Sequence, residues 1–206
     1  MVQLVLAAVC LLGVALLPSF VARAVKQRTM GRNDGKGLAW AVRVVCSVLA
    51  IFMILSTSFV IVDGDRVGHL KRIYMGESMP SGRIVALPGQ KGPQAEILAP
   101  GFHFRLFVRV LFEFEELPIV HVPEGQYAII TALDGRPLGR GQYLAGAWPE
   151  EEFELYLDAL YFMGQDADGP RGQKGPQLTV LPPGDYRVNQ YLFKIDVDHE
   201  AIDIEA

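Results

Sequence analysis

The side chains that could carry catalysis are few once the apolar N-terminal blocks are set aside. A hydrolase needs a nucleophile with a base and an orienting group within reach. The remaining serines are Ser78 and Ser81, and neither lies in a Gly-x-Ser-x-Gly turn. Thr131 and Thr179 fall within predicted strands. We therefore predict no catalytic residue and expect the chain not to be an enzyme.

The histidines and acidic residues give no metal-binding pattern. The histidines show no His-x-x-x-His or Glu-x-x-His spacing, which favours structural roles for all of them: His69, His103, His121 and His199. Alternation places Asp196, Asp198 and Glu200 on one strand face, without the glycine and terminal glutamate of an EF-hand loop. We interpret this face as solvated and predict no metal site. The same interpretation applies to three other acidic residues: Glu113, Glu115 and Glu116.

Cofactor and nucleic-acid binding are also not expected. The glycine-rich loop 135–141 is interrupted by Pro137, which breaks the run of amides that a phosphate needs. Beyond Val62 the chain has 13 Lys and Arg against 22 Asp and Glu, and this negative charge disfavours nucleic acid. Both cysteines, Cys10 and Cys46, lie inside the apolar blocks, so no disulfide or thiolate site is predicted beyond them.

Two apolar blocks dominate the N-terminal part of the sequence. They span residues 2–22 and 44–62, and neither contains a charged residue. A helix of about 20 residues matches the hydrocarbon thickness of a bilayer, and only a helix satisfies its own backbone in lipid. We predict a transmembrane hairpin of these two helices. A signal peptide is the alternative for the first block, although residues 18–20, Pro-Ser-Phe, form a poor cleavage site.

The stretch between these blocks predicts an orientation. The loop 23–43 holds six Lys and Arg residues against the single acid Asp34. Positively charged loops stay on the cytoplasmic side. We therefore expect an integral protein of a bacterial inner or plasma membrane, with loop 23–43 cytoplasmic and the C-terminal body extracytoplasmic.

An internal repeat organises the rest of the chain. The hexapeptide Gly-Gln-Lys-Gly-Pro-Gln occurs at 89–94 and again at 172–177, and we call the separation of these copies the hexapeptide offset. Upstream, residues 60–65 resemble 120–125 at a shorter offset. The second copy therefore contains an insertion of about 23 residues, which we place within 139–171. Inside that window the apolar spacing of Pro149–Met163 predicts one amphipathic helix.

Each copy is predicted to consist of a strand, a glycine turn, a strand, a long Gly/Pro-rich connection, a Leu-x-Pro-Gly turn and a further strand. The predicted fold class is α+β, in which the transmembrane hairpin precedes a β-rich, duplicated body with one inserted helix. The predicted domains are 1–62, 63–118 and 119–206. The sequence stops where a third strand–Gly–strand element would begin, so we expect a C-terminally truncated product, with a naturally short protein as the alternative.

Three glycine-based motifs resemble the band 7 (SPFH) domain of the stomatin, prohibitin and flotillin family. They are Val-Ile-Val-Asp-Gly-Asp-Arg-Val-Gly at 60–68, Leu-Ala-Pro-Gly-Phe-His-Phe at 98–104 and Val-Pro-Glu-Gly-Gln-Tyr-Ala at 122–128. The resemblance covers about residues 59–206. The doubled motifs and the inserted helix depart from a minimal band 7 domain, and the long coiled coil of the family is missing from this chain.

The resemblance implies a non-enzymatic membrane scaffold that oligomerises and organises membrane proteins or lipids. The implied partners are membrane lipids, further copies of the chain and other membrane proteins. The alternative is a membrane-tethered adaptor that binds a peptide or a partner domain.

Overall fold

The structure, a computed structural model, describes residues 34–152, 155–165 and 167–200. The described residues are mostly β-sheet, with one long helix, two single-turn α-helices and a 3-10 turn at Glu150–Glu152. The helices are α1 (Asp34–Ser56), α2 (Val108–Leu111) and α3 (Ala159–Phe162). The strands are β1 (Phe59–Val62), β2 (Arg66–Arg72), β3 (Gly92–Leu98), β4 (Gly101–Phe104), β5 (Phe112–Pro118), β6 (Val120–Val122), β7 (Gln126–Ala132), β8 (Gly175–Leu181), β9 (Gly184–Tyr186) and β10 (Phe193–Glu200).

The N-terminal part of the prediction is corrected. Helix α1 begins at Asp34, inside the predicted loop 23–43, and therefore takes in the charged residues Lys36 and Arg43. Within the described residues, no helix combines the length and the apolar character that a membrane crossing requires. The predictions of a transmembrane hairpin, of integral membrane localisation and of a cytoplasmic loop are wrong on this finding. Block 2–22 lies outside the described residues.

The predicted fold class is corrected with it. In the described residues a predominantly β architecture replaces α+β, and the block 44–62, predicted as the second helix of the hairpin, is helical only as far as Ser56. Nothing in the described part, where α1 is the one long helix, supports the coiled coil of the family that the motifs resemble.

The described residues divide into two compact units. The first comprises residues 34–60 and 104–110, and the second comprises 61–103 and 111–200. Within the first unit, the hydroxyl of Ser58 donates to the carbonyl of Ile54 at 2.7 Å and accepts the amide of Phe107 at 3.1 Å. This buried serine therefore ties the end of α1 to the segment that precedes α2.

The same strand arrangement occurs twice. Strands β3, β2 and β5 form one three-stranded sheet in that order, and β8, β7 and β10 form another; β1 pairs with β4 as β6 pairs with β9. Strand β7 follows β2 at the offset that separates 60–65 from 120–125, and β8 follows β3 at the hexapeptide offset. Sequence duplication and strand duplication therefore coincide. We refer to the strands β1–β5 as the first repeat and to β6–β10 as the second.

The two repeats also share a hydrogen-bond register. Gly68 lies opposite Leu98 in the first repeat, and Ala128 lies opposite Leu181 in the second. Both ladders shift register after the next residue, between His69 and Lys71 and between Ile129 and Thr131. A bulge at equivalent positions twists both sheets in the same way.

The repeated hexapeptide forms the turn that leads into β3 and β8. The amide of Glu77 donates to the carbonyl of Gly89 at 3.0 Å, and that of Arg136 donates to Gly172 at 2.8 Å. The backbones approach so closely that a Cβ atom on Gly76 would lie 2.7 Å from the Gly89 oxygen. Glycine is therefore required there for space. We call this arrangement the hexapeptide turn.

Both glutamines of the hexapeptide hold its backbone in place. The side-chain oxygen of Gln90 accepts the amide of Leu87 at 3.1 Å, and Gln173 accepts the amide of Gly146 at 2.8 Å. The last glutamine of each copy donates to two carbonyls of its own turn, at 2.8–2.9 Å: Gln94 in the first repeat and Gln177 in the second. This shared hydrogen bonding accounts for the glutamines that recur in both copies.

Buried polar side chains of the second repeat form hydrogen bonds with the backbone of the first repeat. The side chain of Asn189 is fully buried, and its amide donates to the carbonyls of Gln94 and Ala95 at 2.8 Å each. Its side-chain oxygen accepts the amides of Tyr191 and Leu192. All hydrogen-bonding groups of this amide are therefore used, as a buried polar side chain requires.

A buried aspartate makes a second polar link between the repeats. Asp134 is 2% exposed, and one carboxylate oxygen accepts the amides of Ile84 and Val85 at 2.7 and 3.0 Å. Its second oxygen lies 3.7 Å from the guanidinium of Arg83. The carboxylate thus fixes the segment that leads to the hexapeptide turn of the first repeat.

The structure places His69 in the core as a neutral side chain. Its Nε2 accepts the amide of Gln190 at 3.0 Å, so its proton is on Nδ1, which faces the carbonyl of Val67 at 3.2 Å. Burial lowers the pKa of His69, against smaller opposing effects of the Val67 hydrogen bond and Glu115.

The lowered pKa of His69 predicts a loss of stability in mild acid. As pH falls, the unfolded chain binds the proton before the folded chain does, so the free energy of unfolding decreases below the ordinary histidine pKa of 6.5. The variant His69→Gln retains a donor and an acceptor but does not titrate. Between about pH 7.5 and 5.5, we expect its free energy of unfolding to fall by about 1 kcal/mol less than that of the wild type. Urea unfolding at both pH values measures this. Equal losses in the two proteins would contradict it.

The buried amide of Asn189 predicts a sharp effect of a nearly isosteric change. Asn189→Asp keeps the size but replaces two donors by an oxygen that faces the carbonyls of Gln94 and Ala95. We expect a loss of about 3 kcal/mol in the free energy of unfolding. Arg187→Ala, at an exposed position of the same segment, should change it by less than about 0.5 kcal/mol. Chemical denaturation measures both, and similar losses would refute the role of Asn189.

Candidate groove on the second repeat

The second repeat differs from the first by one insertion. The buried Ala86 and Ala145 occupy equivalent positions, since each donates its amide to the second-last residue of its hexapeptide. In the first repeat, two residues separate Ala86 from the first hexapeptide residue, Gly89. In the second repeat, residues 146–171 separate Ala145 from the equivalent Gly172. Any site built from this segment therefore belongs to the second repeat alone.

The insertion does not form the predicted helix. Among the described residues of 149–163, the structure has the 3-10 turn Glu150–Glu152, a turn at 155–157 and the single turn α3. Asp158 has an extended backbone, and its carboxylate accepts the amide of Leu160 at 2.8 Å. An aspartate in this conformation is an N-cap, so α3 starts there and the longer helix is interrupted.

Aromatic packing anchors the insertion to the sheet. Phe162 is fully buried, and its ring meets that of Phe193 edge-on with centroids 5.1 Å apart. The carbonyl of Phe162 accepts the amides of Arg171 and Gly172 at 2.9 and 3.0 Å. A Cβ atom on Gly172 would lie 2.1 Å from the Phe162 ring. The insertion is therefore held at the residue where the hexapeptide begins.

A groove opens on the outer side of this anchored segment. Its volume is about 670 Å³. It is lined by Arg136, Gly146, Ala147, Trp148, Pro149, Glu152, Tyr161, Ala167, Asp168, Gly169, Pro170, Arg171, Gly172 and Gln173. Arg136, Gly172 and Gln173 belong to the hexapeptide turn, and the other lining residues belong to the insertion 146–171. The groove therefore combines repeated and inserted residues.

Two aromatic rings and a guanidinium give the groove its chemistry. Trp148 is half-buried and packs against Tyr161 at 6.2 Å and against the core residue Phe162 at 5.8 Å, both measured between ring centroids. The guanidinium of Arg171 lies 4.2 Å from the centre of the Tyr161 ring. Flat apolar rings beside a positive charge are surfaces that bind peptide side chains and carbonyl groups.

Hydrogen bonds hold the basic side of the groove in one conformation. The guanidinium of Arg136 donates to the carbonyl of Arg171, and the guanidinium of Arg171 donates to the carbonyl of Tyr161 at 3.3 Å. Partial burial and a hydrogen bond with Glu152 raise the pKa of the Tyr161 phenol, while Arg171 opposes this. The phenol is therefore a donor to Glu152, and its oxygen can still accept a hydrogen bond.

The predicted non-catalytic serines and threonines lie away from this groove. Ser78 and Ser81 are exposed in the connection between β2 and β3. Thr131 is paired in the centre of its sheet with Lys194 and Pro176, and Thr179 lies in β8. None of these residues lines the groove.

The histidines are separated in the structure as they are in the sequence. His103 contacts the carbonyl of Ala99 at 2.6 Å, and His121 forms an exposed pair with Asp185 at 2.7 Å. His199 pairs with Tyr127 in the ladder of β10 and β7. Within the described ranges, no three His, Cys, Asp or Glu side chains are placed to hold a metal ion.

The acidic side chains predicted as a solvated face make surface contacts. Glu113 lies 3.4 Å from the amine of Lys71, and both side chains are more than half exposed. Glu115 accepts the phenol of Tyr191 at 2.6 Å, and burial followed by this hydrogen bond raises the pKa of that phenol. The face that holds Asp196 is exposed at that residue.

Comparison with family models, curated proteins and solved structures finds no match to this chain. The band 7 resemblance accordingly rests on the three quoted motifs alone. In the structure, two of them form the strand–turn–strand elements β1–β2 and β6–β7, and the third forms the turn between β3 and β4.

The sequence contained a signal for the groove that motif searching missed. Trp148 and Arg171 lie in the segment that the repeat leaves unmatched, and Tyr161 lies within the predicted helix Pro149–Met163. Arg136 lies in the glycine-rich loop 135–141 and is exposed, and it lines the groove together with the insertion. Contact between the loop and the insertion depends on the hexapeptide turn, which sequence spacing does not show.

The contact between Gly172 and Phe162 predicts how the groove is supported. Gly172→Ala would place its Cβ against a buried ring, and we expect a loss of about 2 kcal/mol in the free energy of unfolding. Gly169→Ala provides a matched control, because no atom lies within 4 Å of a Cβ atom at that position. Thermal or urea unfolding should show the control within about 0.5 kcal/mol of wild type. A neutral Gly172→Ala would show that the insertion is not anchored there.

Proposed function

We propose that this chain is a non-enzymatic adaptor that binds a short peptide segment of a partner protein in the groove of its second repeat. The observation that carries the proposal is the aromatic and basic lining formed by Trp148, Tyr161 and Arg171. It is built on a segment that the first repeat lacks, so this lining belongs to the second repeat alone.

The dimensions and polarity of the groove favour a peptide as its ligand. A volume of about 670 Å³ suits a few residues of an extended chain. Glu152 and Asp168 line the groove with Arg136 and Arg171, so groups of both charges are available to a peptide. A purely anionic ligand would meet these carboxylates, which disfavours it.

A random-peptide selection tests the proposal directly. The full chain is immobilised and used to select from a phage library of random dodecapeptides, and selected peptides are synthesised for binding measurements. We expect them to lose at least tenfold in affinity for Trp148→Ala, which removes the ring. The same loss is expected for Gly169→Phe, which fills the groove from a position with open space around it.

The matched control is Tyr143→Ala, because Tyr143 is an aromatic residue of the same repeat that is 86% exposed and outside the groove lining. Its affinity for the selected peptides should equal that of wild type. Failure to enrich any peptide, or equal binding to wild type and Gly169→Phe, would refute the adaptor proposal. Circular dichroism of each variant establishes that its fold is retained.

A self-associating scaffold is the second candidate function. The membrane anchoring expected for such a scaffold is not retained, because of the correction to α1. What favours self-association is a different feature of the second repeat, the outer edge of β8, which bears the exposed apolar side chains Leu178 and Val180.

A further inference from the structure

The two repeats present equivalent sheet edges. Strand β3 is the outer strand of one three-stranded sheet, and β8 is the outer strand of the other. Both run antiparallel to the central strand with the same register and the same bulge. The backbone groups that point outward from β3 therefore correspond, through the hexapeptide offset, to those that point outward from β8.

The edge of β3 is closed within the chain. Ala86 donates its amide to the carbonyl of Pro93 at 2.6 Å, and its carbonyl accepts the amide of Ala95 at 2.8 Å. The side chain of Asn189 covers the next carbonyls, those of Gln94 and Ala95. Ala95 is only 2% exposed as a result. In the first repeat, the outer edge of the three-stranded sheet is thus a surface to which another part of the chain binds.

The edge of β8 is open beyond its first residues. The amide of Ala145 donates to the carbonyl of Pro176 at 2.8 Å, as Ala86 does in the first repeat. Further along, in the part of the chain that the structure describes, no backbone group pairs with the outward side of Leu178 or Val180. These side chains are 55% and 43% exposed, and β8 contains no charged residue. Proteins normally protect such an edge with charge, proline or a covering segment.

The closing residues of the first repeat have no counterparts that could close β8 in the same way. Asn189 corresponds through the hexapeptide offset to Leu106, and Asp134, which precedes Gly135, corresponds to Met75, which precedes Gly76. Neither leucine nor methionine has a side chain that donates to carbonyls or accepts backbone amides. A head-to-tail series of copies that repeats the internal contact is therefore disfavoured.

We propose that β8 pairs antiparallel with β8 of a second copy of this chain, about a two-fold axis at Thr179. In this register Leu178 of each copy lies opposite Val180 of the other copy, which gives two identical pairs on either side of the axis. The outward groups of both residues then exchange hydrogen bonds, as hydrogen-bonded pairs of an antiparallel ladder do. The two sheets become one six-stranded sheet, and the exposed apolar side chains cover each other.

The self-complementary edge is what favours a second copy over another occupant. A two-fold pairing needs one surface only, and two identical apolar pairs meet in it. Pairing of sheet edges through main-chain hydrogen bonds is an established mode of association. This inference gives the scaffold candidate its surface and is independent of the groove, because the groove lining does not include β8.

A charge exchange tests the proposed register. In the proposed dimer, Leu178→Lys places a lysine opposite the apolar Val180 at two positions. Val180→Glu likewise places a glutamate opposite Leu178 at two positions. Because these charges would be unpaired in the interface, each single variant should be monomeric. The double variant Leu178→Lys with Val180→Glu faces each lysine with a glutamate and should recover the dimer. Sedimentation velocity of the full chain over a range of concentrations measures the mass. Ile73→Lys, at another exposed apolar position, is the control and should remain dimeric.

Cross-linking gives a second measurement that does not depend on charge. Residues at the axis lie about 4.5 Å apart between Cα atoms in a non-hydrogen-bonded pair, within the range of a disulfide. In a background with Cys10 and Cys46 replaced by serine, Thr179→Cys should form a covalent dimer on mild oxidation. Thr131→Cys, in the central strand β7, should not.

Several results would overturn the proposal. These are a monomeric wild type at all concentrations, single charge variants that remain dimeric, or a double variant that stays monomeric. An uncross-linked Thr179→Cys in a dimeric background would also exclude this register. Because the groove variants Trp148→Ala and Gly169→Phe should leave the dimer intact, failure of dimerisation and failure of peptide binding can be told apart.

Discussion

The close approach of two backbone segments at the hexapeptide turn is the constraint on which the rest of this fold depends. The amides of Glu77 and Arg136 reach the carbonyls of Gly89 and Gly172, and there is room for this only because glycine stands at Gly76 and Gly135. Each contact fixes where β3 or β8 starts and therefore its register against the central strand. Register in turn decides which side chains face the core and which face solvent.

The polar links between the repeats depend on that register. The hexapeptide turn sets the position of the Gln94 and Ala95 carbonyls on the outer edge of β3. Asn189 can donate to both carbonyls only because they are held in that position. Asp134 fixes the segment leading into the same turn through the amides of Ile84 and Val85. Buried amides and carboxylates are costly when one partner is lost. The two repeats are thus held in one arrangement by groups that tolerate little change, whereas apolar packing alone would be more permissive.

Duplication gave this chain two copies of one framework, and the differences between them are where its binding surfaces lie. The insertion 146–171 adds Trp148, Tyr161 and Arg171 to the second repeat and leaves the hexapeptide turn beneath it unchanged. The edge of β8 lacks the covering residues that close β3. A groove and an open strand edge thus both occur on the second repeat.

The sequence by itself determined the duplication, the glycine and proline turns and the strand pattern, because these depend on local residue spacing. Tertiary structure decided what spacing cannot express. The amphipathic pattern of 149–163 reflects Tyr156 and Phe162 packing under the sheet, and the Asp158 cap interrupts the predicted helix. The apolar block 44–62 predicted a membrane helix, whereas the helix begins at Asp34 and the block ends in a strand. Whether an edge is closed or open depends on contacts between residues far apart in the chain, such as Asn189 and Gln94, and these form only when the repeats pack together.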